Sequence, residues 1–136
     1  MEYLQMRRSF AGLSRCVVLG GVVLAGCAPR AASGDGYVVF FTPWSAQLDD
    51  PAMSVVASAA AAAQAAPGRP VLVEGYADSI GSAQANMSMS ATRAQVVADG
   101  LAADGVARSR IVLRPRGQTA GDPGIESRRV VIEIGQ

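Results

Sequence analysis

The sequence predicts an α+β domain in which one sheet carries two helices on one face. Four short segments are apolar or alternate in the manner of β-strands, and two longer segments carry helix end signals, an acidic cap before the first and a glycine after the second. Their order along the chain is βαβαββ. The chain has 136 residues, which is room for one ordinary domain.

The first strand is predicted at Tyr37–Phe41 (YVVFF), which is apolar throughout and is therefore expected to be buried on both faces. The second is predicted at Val71–Tyr76 and the third at Ile111–Arg116. The last, Arg129–Ile134, alternates between polar and apolar residues. A turn-rich connection precedes it, so the last two strands follow each other without a helix.

The first helix is predicted to start at Asp49-Asp50-Pro51, because an acidic cap followed by proline suits a helix N-terminus. It should run to about Ala66 and stop before Pro67-Gly68. Its alanine content favours a helix that packs closely on the sheet. The side chains expected to face inward are Met53, Val56, Ala60 and Ala63.

The second helix is predicted from about Ala83 to Ala103, with Gly105 as the C-terminal cap. At 100° per residue, one face collects four side chains within about 60°, with two more beside them toward the core. The four are Asn86, Ser90, Arg93 and Val97, and the two neighbours are Met89 and Val96. This spacing places an arginine on or next to the apolar stripe.

A buried guanidinium needs an anion, and the candidate that the sequence offers is Asp78, at the end of the second strand just before this helix. Two interpretations remain open. The pair is a structural ion bridge that holds the turn to the helix, or it forms an outward pocket for a zwitterion. In the pocket, Asp78 would hold an ammonium and Arg93 a carboxylate.

The first residues are typical of an export signal. A basic segment to Arg15 precedes an apolar run from Cys16 to Ala28, which is shorter than the roughly 20 residues that cross a bilayer. The run ends in Leu-Ala-Gly-Cys27 and resembles a bacterial lipobox. The resemblance implies a signal peptide at 1–26, a lipidated tether at 27–36 and a domain at 37–136. An ordinary secretory signal with an incidental cysteine is the alternative.

Composition excludes several classes of function. The 12 basic residues, all arginine, nearly balance 11 acidic ones, which leaves no electrostatic basis for nucleic-acid binding. The chain has no histidine, so Ser-His-Asp and Cys-His catalysis and most zinc sites are excluded. We therefore expect no enzyme activity, no metal and no cofactor.

Two segments resemble OmpA-like domains. Val73–Ser82 (VEGYADSIGS) is similar to the family's V-E-G-H-T-D-x-x-G-S, and Asn86–Val97 (NMSMSATRAQVV) is similar to N-x-x-L-S-x-x-R-A-x-x-V. Arg128-Arg129-Val130 resembles the closing R-R-V. The family fold is an α/β sandwich with a mixed sheet. With the lipoprotein signal, the chain resembles the peptidoglycan-associated lipoprotein type.

The resemblance implies non-catalytic binding of peptidoglycan through the diaminopimelate of the stem peptide, gripped by Asp78 and Arg93. Other positions it places at the pocket are Asn86, Thr42, Ala77 and Arg129. It also implies a lipid anchor on Cys27. Because Ala28 rather than aspartate follows this cysteine, the expected location is the periplasmic face of the outer membrane.

The rim of the implied pocket departs from the family pattern. Tyr76-Ala77 replaces His-Thr, and Thr42 and Trp44 replace the aspartates common after the first strand. An alternative is therefore a scaffold subunit of an envelope complex with a weakened or lost wall site, in which Trp44 and Tyr76 anchor a protein partner. The sequence leaves open whether Tol-type envelope proteins are such partners.

Overall fold

The computed structural model describes residues 36–121 and 123–135. The strands are β1 (Tyr37–Phe40), β2 (Val71–Ala77), β3 (Ile111–Gln118) and β4 (Arg129–Ile134), and the helices are α1 (Asp50–Ala65) and α2 (Ala83–Ala103). The predicted signal peptide, Cys27 and the tether up to residue 35 lie outside the described residues. Among the described residues, no helix is long and apolar enough to cross a membrane.

The four strands form one mixed sheet in the order β1-β4-β2-β3. β4 pairs antiparallel with both β1 and β2, whereas β2 and β3 are parallel. The parallel pair follows from the connection, because α2 carries the chain from the end of β2 back to the start of β3. The predicted α+β architecture with a mixed sheet is confirmed.

Both helices pack on the same face of the sheet and enclose the core. Alternate strand residues, among them Val39, Val73 and Ile132, are fully buried against Val97 and Leu101 of α2 and the small side chains of α1. Among the described residues, no helix covers the other face of the sheet. The core residues all belong to the compact unit Ala31–Gln136.

The prediction that β1 is buried on both faces was wrong. Val39 faces the helices and is buried, while Phe40 points to the opposite face and is 44% exposed. β1 is an edge strand that pairs only with β4. An uninterrupted apolar run thus does not require burial on both faces, because this edge strand has only one face covered by the helices.

The prediction that Met53 of α1 faces inward was also wrong. Met53 is 48% exposed, and Ala52 is buried in its place, in line with Val56 and Ala63. The buried residues of α1 form one face of the helix, and Met53 lies at the edge of that face. On α2, Met89 and Val96 are only half-buried.

The cap predicted at Asp49 is confirmed, Gly105 ends α2 as predicted, and Ser82 caps the N-terminus of α2. Asp49 accepts a hydrogen bond from the Ala52 amide at 2.9 Å, and Ser82 accepts one from the Ala85 amide at 3.1 Å. After α2, Gly105 adopts a φ of 97°, which terminates the helix. The Ser82 cap fixes where α2 starts and therefore the positions of Asn86 and Arg93 on that helix.

Candidate functional site

Asp78 lies directly after β2, where the sheet meets the turn into α2, and is 9% exposed. Its Oδ1 accepts a hydrogen bond from the Ile80 amide at 3.1 Å, which closes a local turn. Its Oδ2 lies 3.3 Å from Nη1 of Arg128. The carboxylate is therefore fixed from both sides, and its ion-pair partner is Arg128.

Arg93 reaches toward the same end of the sheet from α2 and is 1% exposed. Each nitrogen of its guanidinium donates to a backbone carbonyl: Nε to Ser45 at 2.9 Å, Nη1 to Tyr76 at 3.3 Å and Nη2 to Thr42 at 3.2 Å. The guanidinium carbon also lies 5.3 Å from the centre of the Phe41 ring. Arg93 thus ties β2 and the β1–α1 loop to α2.

Asp78, Arg93 and Arg128 form a charge cluster at this end of the sheet. Burial lowers the pKa of Arg93, the nearby carboxylate of Asp78 counteracts that shift, and the charge of Arg128 adds to it. Two guanidinium groups face one carboxylate, so the cluster carries a net charge of +1. This excess of positive charge favours an additional anionic group at the cluster.

The other predicted site residues stand around the cluster in different ways. Asn86 is buried, and its Nδ2 donates to Oε1 of Gln118 at 3.4 Å. Thr42 contributes its carbonyl to Arg93. Ala77 is fully buried, and its carbonyl accepts from the amide of Thr119 at 2.9 Å. Of these three, Thr42 contacts the cluster through its carbonyl, Asn86 lies near Gly81 in the turn that follows Asp78, and Ala77 directly precedes Asp78 in the chain.

The family of the chain is decided by its sequence match. Residues 40–128 match the OmpA family, which is more than half of the chain and includes all three members of the cluster. This chain belongs to the OmpA family. A search of the curated proteins finds no significant match.

Solved structures share the fold of this OmpA-family domain. The peptidoglycan-associated lipoprotein from Burkholderia pseudomallei is 21% identical, with a TM-score of 0.67 over 71% of this chain and 88% of that one. The C-terminal domain of Helicobacter pylori MotB is 23% identical, with a TM-score of 0.64 over 75% and 84%. An outer membrane protein from Borrelia burgdorferi B31 is 20% identical, with a TM-score of 0.64 over 74% and 87%.

Arg129 lies on the opposite face of the sheet of this OmpA-family domain. Its guanidinium carbon lies 4.3 Å from the centre of the Tyr76 ring, and its Nη1 donates to the carbonyl of Glu126. The Tyr76 hydroxyl donates to Glu74, which pairs with Arg116 at 2.5 Å. Burial and this hydrogen bond raise the pKa of Tyr76. The side chain of Tyr76 is thus engaged on the open face of the sheet, while its carbonyl accepts from Arg93.

Arg128 belongs to the R-R-V motif but was not among the predicted site residues. The signal that identifies it is the alternation of β4. Val130 and Ile132 face the helices, and Arg128 shares their parity, whereas Arg129 has the opposite one. No group of three or more His, Cys, Asp or Glu that could hold a metal occurs in the part of the chain that the structure describes.

Proposed function

We propose that this OmpA-family domain binds peptidoglycan without catalysing a reaction, and that the charge cluster holds the diaminopimelate of the stem peptide. The supporting observation is the pairing of one nearly buried carboxylate with two guanidiniums at one end of the sheet. A zwitterionic side-chain terminus brings one ammonium and one carboxylate. It therefore complements both signs of the cluster at once.

In this proposal Asp78 binds the ammonium. Its carboxylate already accepts from Ile80 and Arg128, and an ionised carboxylate offers about four lone-pair sites, so acceptor capacity remains. The ligand carboxylate is held by the field of Arg93 from inside and by Arg128 at the surface. Arg128 is the more accessible of the two, with 15% of its side chain exposed.

The proposed role is binding alone because of the chemistry of the groups involved. The guanidinium of an arginine stays protonated under ordinary conditions and cannot act as a base near neutral pH. Asp78 accepts hydrogen bonds from the Ile80 amide and from Arg128. These groups supply complementary charge and hydrogen bonds, and they offer no proton shuttle between a nucleophile and a leaving group.

We further propose that the protein tethers the cell envelope to the wall. A lipid on Cys27 would hold the chain at the periplasmic face of the outer membrane, and residues 27–36 would link that anchor to the domain. Two weak attachments on one chain reinforce each other, so a modest affinity for peptidoglycan suffices. The fold shared with a peptidoglycan-associated lipoprotein supports this arrangement.

A protein-interaction role, with Tol-type envelope proteins as one partner class, is the second candidate. The observation that favours it is the exposure of two apolar side chains, Trp44 at 66% and Ile80 at 48%. Exposed aromatic residues often act as anchors at protein interfaces. Under this proposal, binding to isolated wall material would not depend on Asp78.

The proposal is tested by co-sedimentation of residues 31–136 with purified sacculi that contain diaminopimelate. Asp78→Asn keeps the shape of the side chain but removes the charge, and we expect its affinity to fall roughly tenfold or more, the loss of one charge-assisted contact. Asp99→Asn is the matched control, because Asp99 is an exposed acid on α2 that pairs with Arg108. Equal pelleting of the two variants would contradict the proposal.

Two neighbouring arginines provide a second comparison. Arg128→Gln and Arg129→Gln make the same change in charge at adjacent positions, but only Arg128 touches Asp78. We expect the greater loss of sacculus binding from Arg128→Gln, together with release of the wild type by free diaminopimelate. A greater loss from Arg129→Gln would move the ligand to the open face of the sheet.

A further inference from the structure

Trp44 adopts a backbone conformation that is unusual for its residue type. It has a φ of 57° and is the one residue other than glycine with positive φ in the described parts of the chain. It occupies the third position of the turn Thr42–Ser45, after Pro43, where glycine is normally preferred. The turn is closed by the Ser45 amide, which donates to the Thr42 carbonyl at 3.3 Å.

Arg93 holds this turn from inside. Its guanidinium donates to the carbonyls at both ends of the turn, those of Thr42 and Ser45. A strained conformation persists only when surrounding contacts impose it, and such conformations concentrate at functional sites. The buried member of the charge cluster thus also fixes the position of Trp44.

The turn presents the indole to solvent instead of burying it. Trp44 is 66% exposed. Its Cη2 and the Oδ1 of Asn86 each lie 3.8 Å from the point where a Cβ would stand on Gly81, in the turn that follows Asp78. The indole therefore lies close to the turn that follows Asp78 and is held through its own turn by Arg93.

We infer that Trp44 is a platform for a sugar ring of the peptidoglycan glycan strand. This inference rests on the proposed function, because it places the sugar beside a stem peptide held by Asp78. A pyranose has an apolar face of C–H groups and a polar edge of hydroxyl and acetamido groups. The exposed indole complements the apolar face, and the hydroxyl and acetamido edge would stay in contact with solvent.

The fixed turn favours a sugar over an adaptable protein surface. An aromatic ring with few degrees of freedom loses little conformational entropy when a flat ligand stacks on it. Trp44 lies near the turn that follows Asp78, so a sugar on Trp44 and a stem peptide on Asp78 could belong to the same repeating unit of the wall. Trp44 would thereby distinguish glycan-linked peptide from free peptide.

The test compares two soluble ligands by calorimetry with residues 31–136. One is a disaccharide–tetrapeptide that contains diaminopimelate, and the other is the same tetrapeptide freed of its disaccharide. We expect the wild type to bind the first roughly fivefold more tightly, the size of one aromatic contact. Trp44→Gly suits the positive φ and should lose this preference, whereas Trp44→Phe should retain part of it.

The outcomes separate this inference from the proposed function. If the wild type binds both ligands equally, or if Trp44→Gly keeps the preference, the sugar platform is refuted while peptidoglycan binding stands. If Trp44→Gly weakens both ligands by the same factor, the residue only supports the loop, and the inference is again overturned. If the wild type binds neither ligand, the proposed function fails and the inference fails with it.

Discussion

Replacing Gly75 by alanine should force β2 and α2 apart. A Cβ atom at Gly75 would stand 2.1 Å from the carbonyl oxygen of Ser90 and 3.1 Å from the Cβ of Ala94. Non-bonded heavy atoms are most stable about 3.5–4.0 Å apart, so the strand and the helix would have to separate by more than about 1 Å. The obstructing oxygen belongs to the helix backbone and cannot rotate away.

The cost should be large because α2 cannot move without disturbing the core. Ala94, Val97 and Leu101 on this helix are fully buried. Overpacking of a dense core typically costs about 1–3 kcal/mol, occasionally more, and the clash with backbone places Gly75→Ala at about 3 kcal/mol or above. For a domain of this size that corresponds to a fall in Tm of roughly 12 °C or more.

Urea unfolding followed by far-UV circular dichroism measures this difference. Gly36→Ala is the control, because its Cβ would meet a side-chain methyl, Cγ1 of Val131, at 3.2 Å, and the backbone oxygen of Ile132 only at an ordinary contact distance of 3.8 Å. We expect the control to remain within about 1 kcal/mol of the wild type. If Gly75→Ala is as stable as Gly36→Ala, the close contact between β2 and α2 does not exist as described.

Two further substitutions test single contacts. Ser90→Ala removes the hydroxyl that accepts from the Gly117 amide at 3.0 Å, so the unsatisfied amide should lower the free energy of unfolding in urea by about 1–3 kcal/mol. Ser88→Ala, at an exposed position of the same helix, should change it little, and equal losses in the two variants would contradict the prediction. The hydrogen bond from Arg116 lowers the pKa of Glu74, so the contribution of Glu74 to stability is complete above about pH 4.3 and is lost as the pH falls through its lower folded value. The difference in unfolding free energy between the wild type and Glu74→Gln should therefore shrink below about pH 4, and a difference that stays constant from about pH 3 to pH 7 would refute the pairing.

Most of the fold could be read from local chemistry. The caps at Asp49 and Ser82 and the glycine at position 105 mark helix ends that depend only on neighbouring residues, and both helices were predicted to within a residue or two. β3 extends two residues beyond its predicted end at Arg116 because it pairs alongside β2 through an irregularity in register. Such pairing depends on the partner strand, which sequence periodicity does not reveal.

The site was predicted less completely than the fold. Helical spacing correctly placed Arg93 at the apolar stripe, because that follows from 3.6 residues per turn. Its hydrogen-bond partners could not be predicted, since they are backbone carbonyls at Thr42, Ser45 and Tyr76, and carbonyls occur at every residue. Arg128 could have been found from the parity of β4, had its alternation been extended one residue toward the N-terminus.

The opposite orientations of Arg128 and Arg129 make the charge cluster sensitive to strand register. A slip of β4 by one residue would turn Arg129 toward Asp78 and expose apolar side chains that now face the helices. The connection 120–124 could therefore change in length without affecting the site, provided that Thr119 keeps its hydrogen bond to Ala77 and β4 keeps its pairing with β2. Insertions in that loop should be tolerated, whereas a single-residue deletion inside β4 should abolish the charge cluster and the core packing together.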